Sequence, residues 1–278
     1  MHTPRSAILF IALTNVFVAF VASCVASAAD HEPQYIRVLS DGSSSVLQTS
    51  VRTYIHPARV RVTLINTVHL ADATYFAELS QRLTAFDRVL VEGVARRRAV
   101  NAHTQGITLG MTQGVTKGVI QEITEGITKE MTRIANTFGL RQQVSTLKLP
   151  PTAEQADLSA EAFDAARSTI SASAGAAAVA SAIDHPSPAP TTRALFFAGV
   201  ASIETDPRVL HASERAYAIR ERNASVMDSL RAALARNEMN IALVYGAAHG
   251  SDLNRRLRAL GFVCTKIEWV NACEDNAR

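Results

Sequence analysis

The sequence predicts an α/β domain. A central, largely parallel sheet is expected from two βαβ halves, with helices on both faces and a helical lid region inserted between the halves. Three observations carry this. Residues 59–92 run strand, amphipathic helix, strand; residues 240–270 repeat that order; and residues 105–132 between them carry a repeat with helical rather than strand spacing. With 278 residues, 47% hydrophobic and 19% charged, the chain has enough apolar material for a core and is too hydrophobic to be disordered throughout. Its 28 Lys and Arg against 25 Asp and Glu leave a formal charge of +3, too small a surplus for a nucleic-acid groove, so no nucleic-acid partner is expected.

The first 28 residues read as a leader. Arg5 precedes an apolar run from Ala7 to Ser23, and small residues follow. Ala26-Ser27-Ala28 suits ordinary signal peptidase, whereas Val21-Ala22-Ser23-Cys24 resembles a bacterial lipobox that would attach the chain to a membrane through Cys24. A third alternative is an uncleaved membrane helix, since the run is near the lower length limit of about 17 residues. Each of these places residues 29–278 outside the cytoplasm, either periplasmic or as a membrane-anchored lipoprotein. In that compartment Cys264 and Cys273 are free to form a disulfide if the chain turns back at Asn271-Ala272; two separate buried thiols are the alternative.

In the body, two extended runs flank Asp41-Gly42 and predict a hairpin at the sheet edge. Arg59 to Asn66 is rich in β-branched residues and grows more apolar toward its end, as a central strand does. Asp72 is placed to cap a helix whose apolar positions Tyr75, Phe76, Leu79, Leu83 and Phe86 recur at three- and four-residue intervals. Asp87 to Val91 is the next strand and ends at Glu92-Gly93. A right-handed crossover of this kind brings both strand ends to one rim of a parallel sheet. Asp206 to Arg236 reads as one long helix. Asn240 to Tyr245 is again a strand, Gly246 to His249 its exit loop, Asp252 to Leu260 a helix stopped by Gly261, and Phe262 to Val270 a last strand.

Residues 100–205 are expected to form a helical insertion and a low-complexity loop within a single domain. Gly106, Gly110, Gly114 and Gly118 fall at every fourth position, a spacing that admits close helix approach but also weakens a surface helix. Residues 171–192, rich in Ala, Ser and Pro, read as a linker.

The motifs of the common chemistries are missing from the sequence. There is no Gly-x-Ser-x-Gly elbow, no Gly-x-Gly dinucleotide turn and no Gly-Lys-Ser/Thr phosphate loop. What remains is His69, Glu92 and His249, each just beyond an apolar strand, where open α/β sheets gather their ligands. Two imidazoles and a carboxylate suit a divalent metal ion that acidifies bound water, or the carboxylate can serve as general base.

The residues themselves resemble the TraB/PrgY/GumN family, related to the Tiki metallopeptidases. The likeness lies in Leu64 to Asp72, Phe86 to Gly93, Arg220 to Asn223 and Val244 to Gly250, in that order. Of the two Gly-x-x-His motifs in that pattern, Gly246 to His249 is intact, whereas Asn66 stands in place of the first glycine. Asn tolerates the left-handed backbone such a turn would use. The resemblance implies a metal-dependent, peptidase-like hydrolase: His69, Glu92 and His249 as metal ligands, with Glu92, Arg222 and Asn223 in catalytic roles and a peptide or other small exported molecule as substrate. The alternative it admits is a lipoprotein that sequesters a peptide or haem without turnover. Oligomeric state is left open.

Overall fold

The computed structural model describes residues 34–41, 44–93, 131–170, 192–205 and 218–276. The leader, most of the four-residue repeat, the Ala/Ser/Pro linker and residues 206–217 of the expected long helix lie outside the described residues. Among the described residues no helix is long and apolar enough to cross a membrane.

The protein is α/β, with helices packed on a mixed seven-stranded sheet. Its strands are β1 (Ile36–Ser40), β2 (Ser44–Ile55), β3 (Arg61–Thr67), β5 (Arg88–Val91), β7 (Ala153–Gln155), β8 (Asn240–Gly246) and β9 (Val263–Asn276); β4 (Leu70–Ala71) and β6 (Arg141–Gln142) form a small separate pair. The helices are α1 (Ala73–Leu83), α2 (Ala160–Ile170), α3 (Arg193–Thr205), α4 (Ile219–Ala235) and α5 (Gly250–Ala259), together with short helical stretches over 131–138 and Gln143–Thr146.

Strands β3, β8, β5 and β7 lie side by side and parallel. Six of the seven residues of β3 are buried, as are the five central residues of β8. This explains why both read as nearly continuous apolar runs: a strand covered on two faces has no polar side to alternate with. β8 sits between β3 and β5, so the crossover through α1 spans an intervening strand. On α1, Tyr75, Phe76, Leu79 and Leu83 are buried as their spacing predicts. Asp72 occupies the N-cap position, but its side chain does not cap. Its carboxylate instead meets Arg193 of α3 at 2.5 Å and accepts from the Glu274 amide at 3.0 Å, joining three distant segments.

The antiparallel part differs from the sequence expectation in three places. The hairpin β1–β2 forms, with the Ser44 amide donating to Asp41 at 2.8 Å, but β2 is no edge strand. One side of β2 pairs with β1 and then β3, and the other pairs along its whole length with β9. The last strand therefore joins β2 antiparallel rather than lying beside β8. Finally, β9 does not turn at Asn271-Ala272. It absorbs Ala272 as a bulge, Leu47 facing Cys273 and Gln48 facing Asn271, and runs on.

That bulge overturns the disulfide. Cys264 and Cys273 are both free and stand opposite opposite ends of β2, at Tyr54 and Leu47. Nine residues of extended chain put them roughly 30 Å apart. Burial pushes the Cys273 thiol up to about 12, so it behaves as an inert core group. The region 100–205 is also not helical alone, since it supplies β6 and the sheet strand β7. Ala153-Glu154-Gln155 has no β-branched residue, and pairing with β5 rather than propensity makes it a strand.

Candidate functional site at the carboxyl rim

The carboxyl ends of β3, β5 and β8 share one rim, because Asn66 and Thr67 stand in register with Tyr245 and Gly246 while Val91 faces Val244. Glu92 leaves β5 here and both of its oxygens are engaged. Oε1 accepts from Arg222 Nη2 at 2.8 Å, and Oε2 accepts from the Gly246 amide at 2.6 Å. A Cβ at position 246 would stand 3.2 Å from that second oxygen, so a glycine here lets the carboxylate close on the backbone.

Arg222, buried on the first turn of α4, is shared between two carboxylates. Asp157 takes Nε at 3.1 Å and Nη2 at 2.6 Å, and also accepts from the amides of Gly93 at 2.9 Å and Leu158 at 2.7 Å. Its side chain has no solvent exposure. Nη1 of Arg222 has no hydrogen-bond partner among the described residues. Arg222 is thus neither a helix-surface ion pair nor a free fork: most of its donors are spent holding Glu92 and Asp157 together.

His249 follows β8 on a single 3-10 turn and is 3% exposed. Its Nδ1 lies 2.6 Å from Asn223 Oδ1, and its Nε2 lies 3.5 Å from Glu92 Oε1. The Asn223 amide donates through Nδ2 to Asp252 at 2.9 Å, and Asp252 also accepts from Arg256 at 2.6 Å. An ionised carboxylate only accepts, so the amide must turn its oxygen to the imidazole, and Nδ1 carries the proton. Nε2 of His249 then faces Glu92 and the site, the orientation that a metal-binding histidine adopts when a neighbour takes its other N–H. Asn223 acts on His249 as a positioning residue. Tyr245 braces the same ring edge-on, with centroids 5.2 Å apart.

The charges settle which groups are ionised. Burial alone would raise the Glu92 carboxyl, but the charge and hydrogen bond of His249, then Arg222 and His69, outweigh it and hold Glu92 well below the usual carboxylate range. Burial likewise opposes the charge on Arg222, and its hydrogen bond to Asp157 and the two adjacent carboxylates more than offset this, so the guanidinium keeps its proton. A carboxylate this acidic is a fixed anion rather than a strong base.

The three residues singled out from the sequence are not equally placed. Glu92 and His249 meet, and Arg222 and Asn223 flank them. His69 lies on the exposed loop after β3, near enough for its charge to act on Glu92. Among the described residues no three His, Cys, Asp or Glu side chains form a ready metal cage. Asn66 does not make the left-handed turn expected of it; it lies inside β3, fully buried, and its Nδ2 donates to the carbonyl and hydroxyl of Ser50 at 2.9 and 3.0 Å. Sequence reasoning missed Asp157 and Asp252. Asp252 stood at the start of the predicted helix three residues beyond His249, where spacing alone could have flagged it; Asp157 follows a three-residue strand and carries no signal.

No protein family, curated protein or solved structure matches the chain.

Proposed function

We propose that this is an exported hydrolase of the TraB/Tiki kind, acting on peptide or amide bonds with a divalent metal ion. The observation that carries the reading is the Glu92–His249 pair, whose imidazole is fixed by Asn223 with Nε2 turned inward. Two donors 3.5 Å apart fit neighbouring corners of a tetrahedral site, where ligands about 2.0–2.1 Å from the ion stand about 3.3–3.4 Å from one another. His69 would complete the set by turning in from its exposed loop. The ion would supply Lewis acidity toward a carbonyl or bound water.

The chain's own part follows from the geometry. His249 and Arg222 keep Glu92 anionic, Arg222 and the Gly246 amide hold it in place, Asn223 and Asp252 hold the His249 ring in one orientation, and Arg222 Nη1 remains to donate to a substrate oxygen. Cys24 would tether the protein if the lipobox is used. The second reading, a lipoprotein that holds a peptide or haem unchanged, is favoured by the full engagement of both Glu92 oxygens with protein donors.

Metal analysis of the purified chain, paired with digestion of a peptide library, separates the two. The hydrolase reading expects one divalent ion per chain, cleavage, and loss of both in His249→Ala and Glu92→Gln. Stoichiometric peptide or haem binding without ion or turnover would select the second.

A further inference from the structure

The last strand has one partner too few. Among the described residues β9 pairs only with β2, and its other edge meets no strand. The far end of that edge is closed, since Asp72 donates its amide to the Ala272 carbonyl at 2.8 Å and accepts from the Glu274 amide at 3.0 Å. The stretch before it pairs with no strand among the described residues. Val263 is 62% and Ile267 49% exposed, and the run Val263-Cys-Thr-Lys-Ile-Glu-Trp-Val270 is rich in strand-forming residues. Such an edge is a template for another strand unless charges or bulges prevent it.

The charges here select rather than prevent. Lys266 and Glu268 project from the same face, 3.0 Å apart at their tips, with Ile267 between them on the other face. When two copies of one strand pair antiparallel about a two-fold axis perpendicular to the sheet, the axis must pass through a residue position, because directly opposed side chains share a face. With the axis at Lys266 or at Glu268, like charges oppose each other. With the axis at Ile267, Lys266 of each copy faces Glu268 of the other, twice, and the two exposed isoleucines become neighbours. One register is therefore favoured and the registers on either side of it are penalised.

We infer that the free edge of β9 is a self-association surface, joining two copies of this chain antiparallel about Ile267 into one continuous sheet. The seam is short, bounded by the bulge at Thr265 and the Asp72 clasp, so the dimer is concentration-dependent. This rests on the edge alone and is independent of what the carboxyl rim does.

Sedimentation equilibrium of the purified full chain tests it. A monomer–dimer equilibrium is expected, and Lys266→Glu should raise its dissociation constant by about tenfold or more, because both seam pairs become repulsive. Adding Glu268→Lys to that variant restores opposite charges across the axis and should return the constant to within about threefold of the parent. Circular dichroism of each variant verifies the fold. A chain that stays monomeric at every concentration overturns the inference, as does a dimer indifferent to Lys266→Glu or a doubly exchanged variant that fails to recover.

Discussion

His249 and His69 occupy matching places, a few residues beyond two adjacent parallel strands, yet their surroundings have little in common. His249 is buried, tied through Asn223 to Asp252, braced by Tyr245 and set against Glu92. His69 is exposed, and Asn66, which stands where the resemblance expects a glycine, spends its amide on Ser50 instead of shaping a turn. One half of the rim is fixed before any ligand arrives; the other must move to take part. Resemblance between two sequence motifs therefore gives no assurance of equal rigidity, which depends on what each motif packs against.

The largest effect should come from the centre of the fixed half. Arg222→Met leaves Glu92 and Asp157 as neighbouring buried carboxylates without their cation, and should cost about 3–5 kcal/mol in urea unfolding. A loss under 1 kcal/mol would mean that the rim is solvated and not held by this ion pair. Next comes His249→Ala. A rim position suggests little loss of stability, but this side chain is buried and hydrogen-bonded. Its removal strands Asn223 Oδ1 and should cost about 1–3 kcal/mol.

The strand–helix–strand order and the apolar faces of β3, α1, β5 and β8 could be read in advance because each is set by local periodicity. Glu92, Arg222, Asn223 and His249 could be found because they adjoin those elements. Asp157 could not, since its importance lies in a contact with Arg222 across 65 positions of sequence. The path of β9 was hidden for a related reason: a bulge at Ala272 looks like a turn until the length of β2 opposite it is known.

A third, smaller effect sharpens the contrast through pH. Burial raises the Asp252 carboxyl, but its hydrogen bonds to Asn223 and Arg256 and the nearby arginines lower it further, leaving a folded value below the ordinary one. Such a group stabilises the fold above its unfolded pKa, about 3.9, and the contribution disappears as pH falls through the folded value. Urea midpoints measured from pH 7 down to pH 3 should therefore fall more steeply below about pH 4 in the parent than in Asp252→Asn. Parallel acid limbs would count against the Asp252–Asn223 tether. The smallest effect belongs to the open half: His69→Ala should change stability by no more than about 0.5 kcal/mol in the same assay. If it matched His249→Ala, the contrast between the halves would fail.

The position of β8 bears on how the protein is made. β3 and β5 leave the ribosome well before β8, but they are not neighbours in the sheet; the slot between them is filled by that later strand. Until β8 arrives, two apolar strands have unpaired inner edges and Glu92 lacks both its arginine and its glycine amide. Nucleation must bridge long stretches of sequence, which slows folding and lengthens the time for which sticky edges are exposed. Truncated chains that stop before residue 240 should accordingly be held by chaperones or degraded rather than accumulate as a folded amino-terminal fragment.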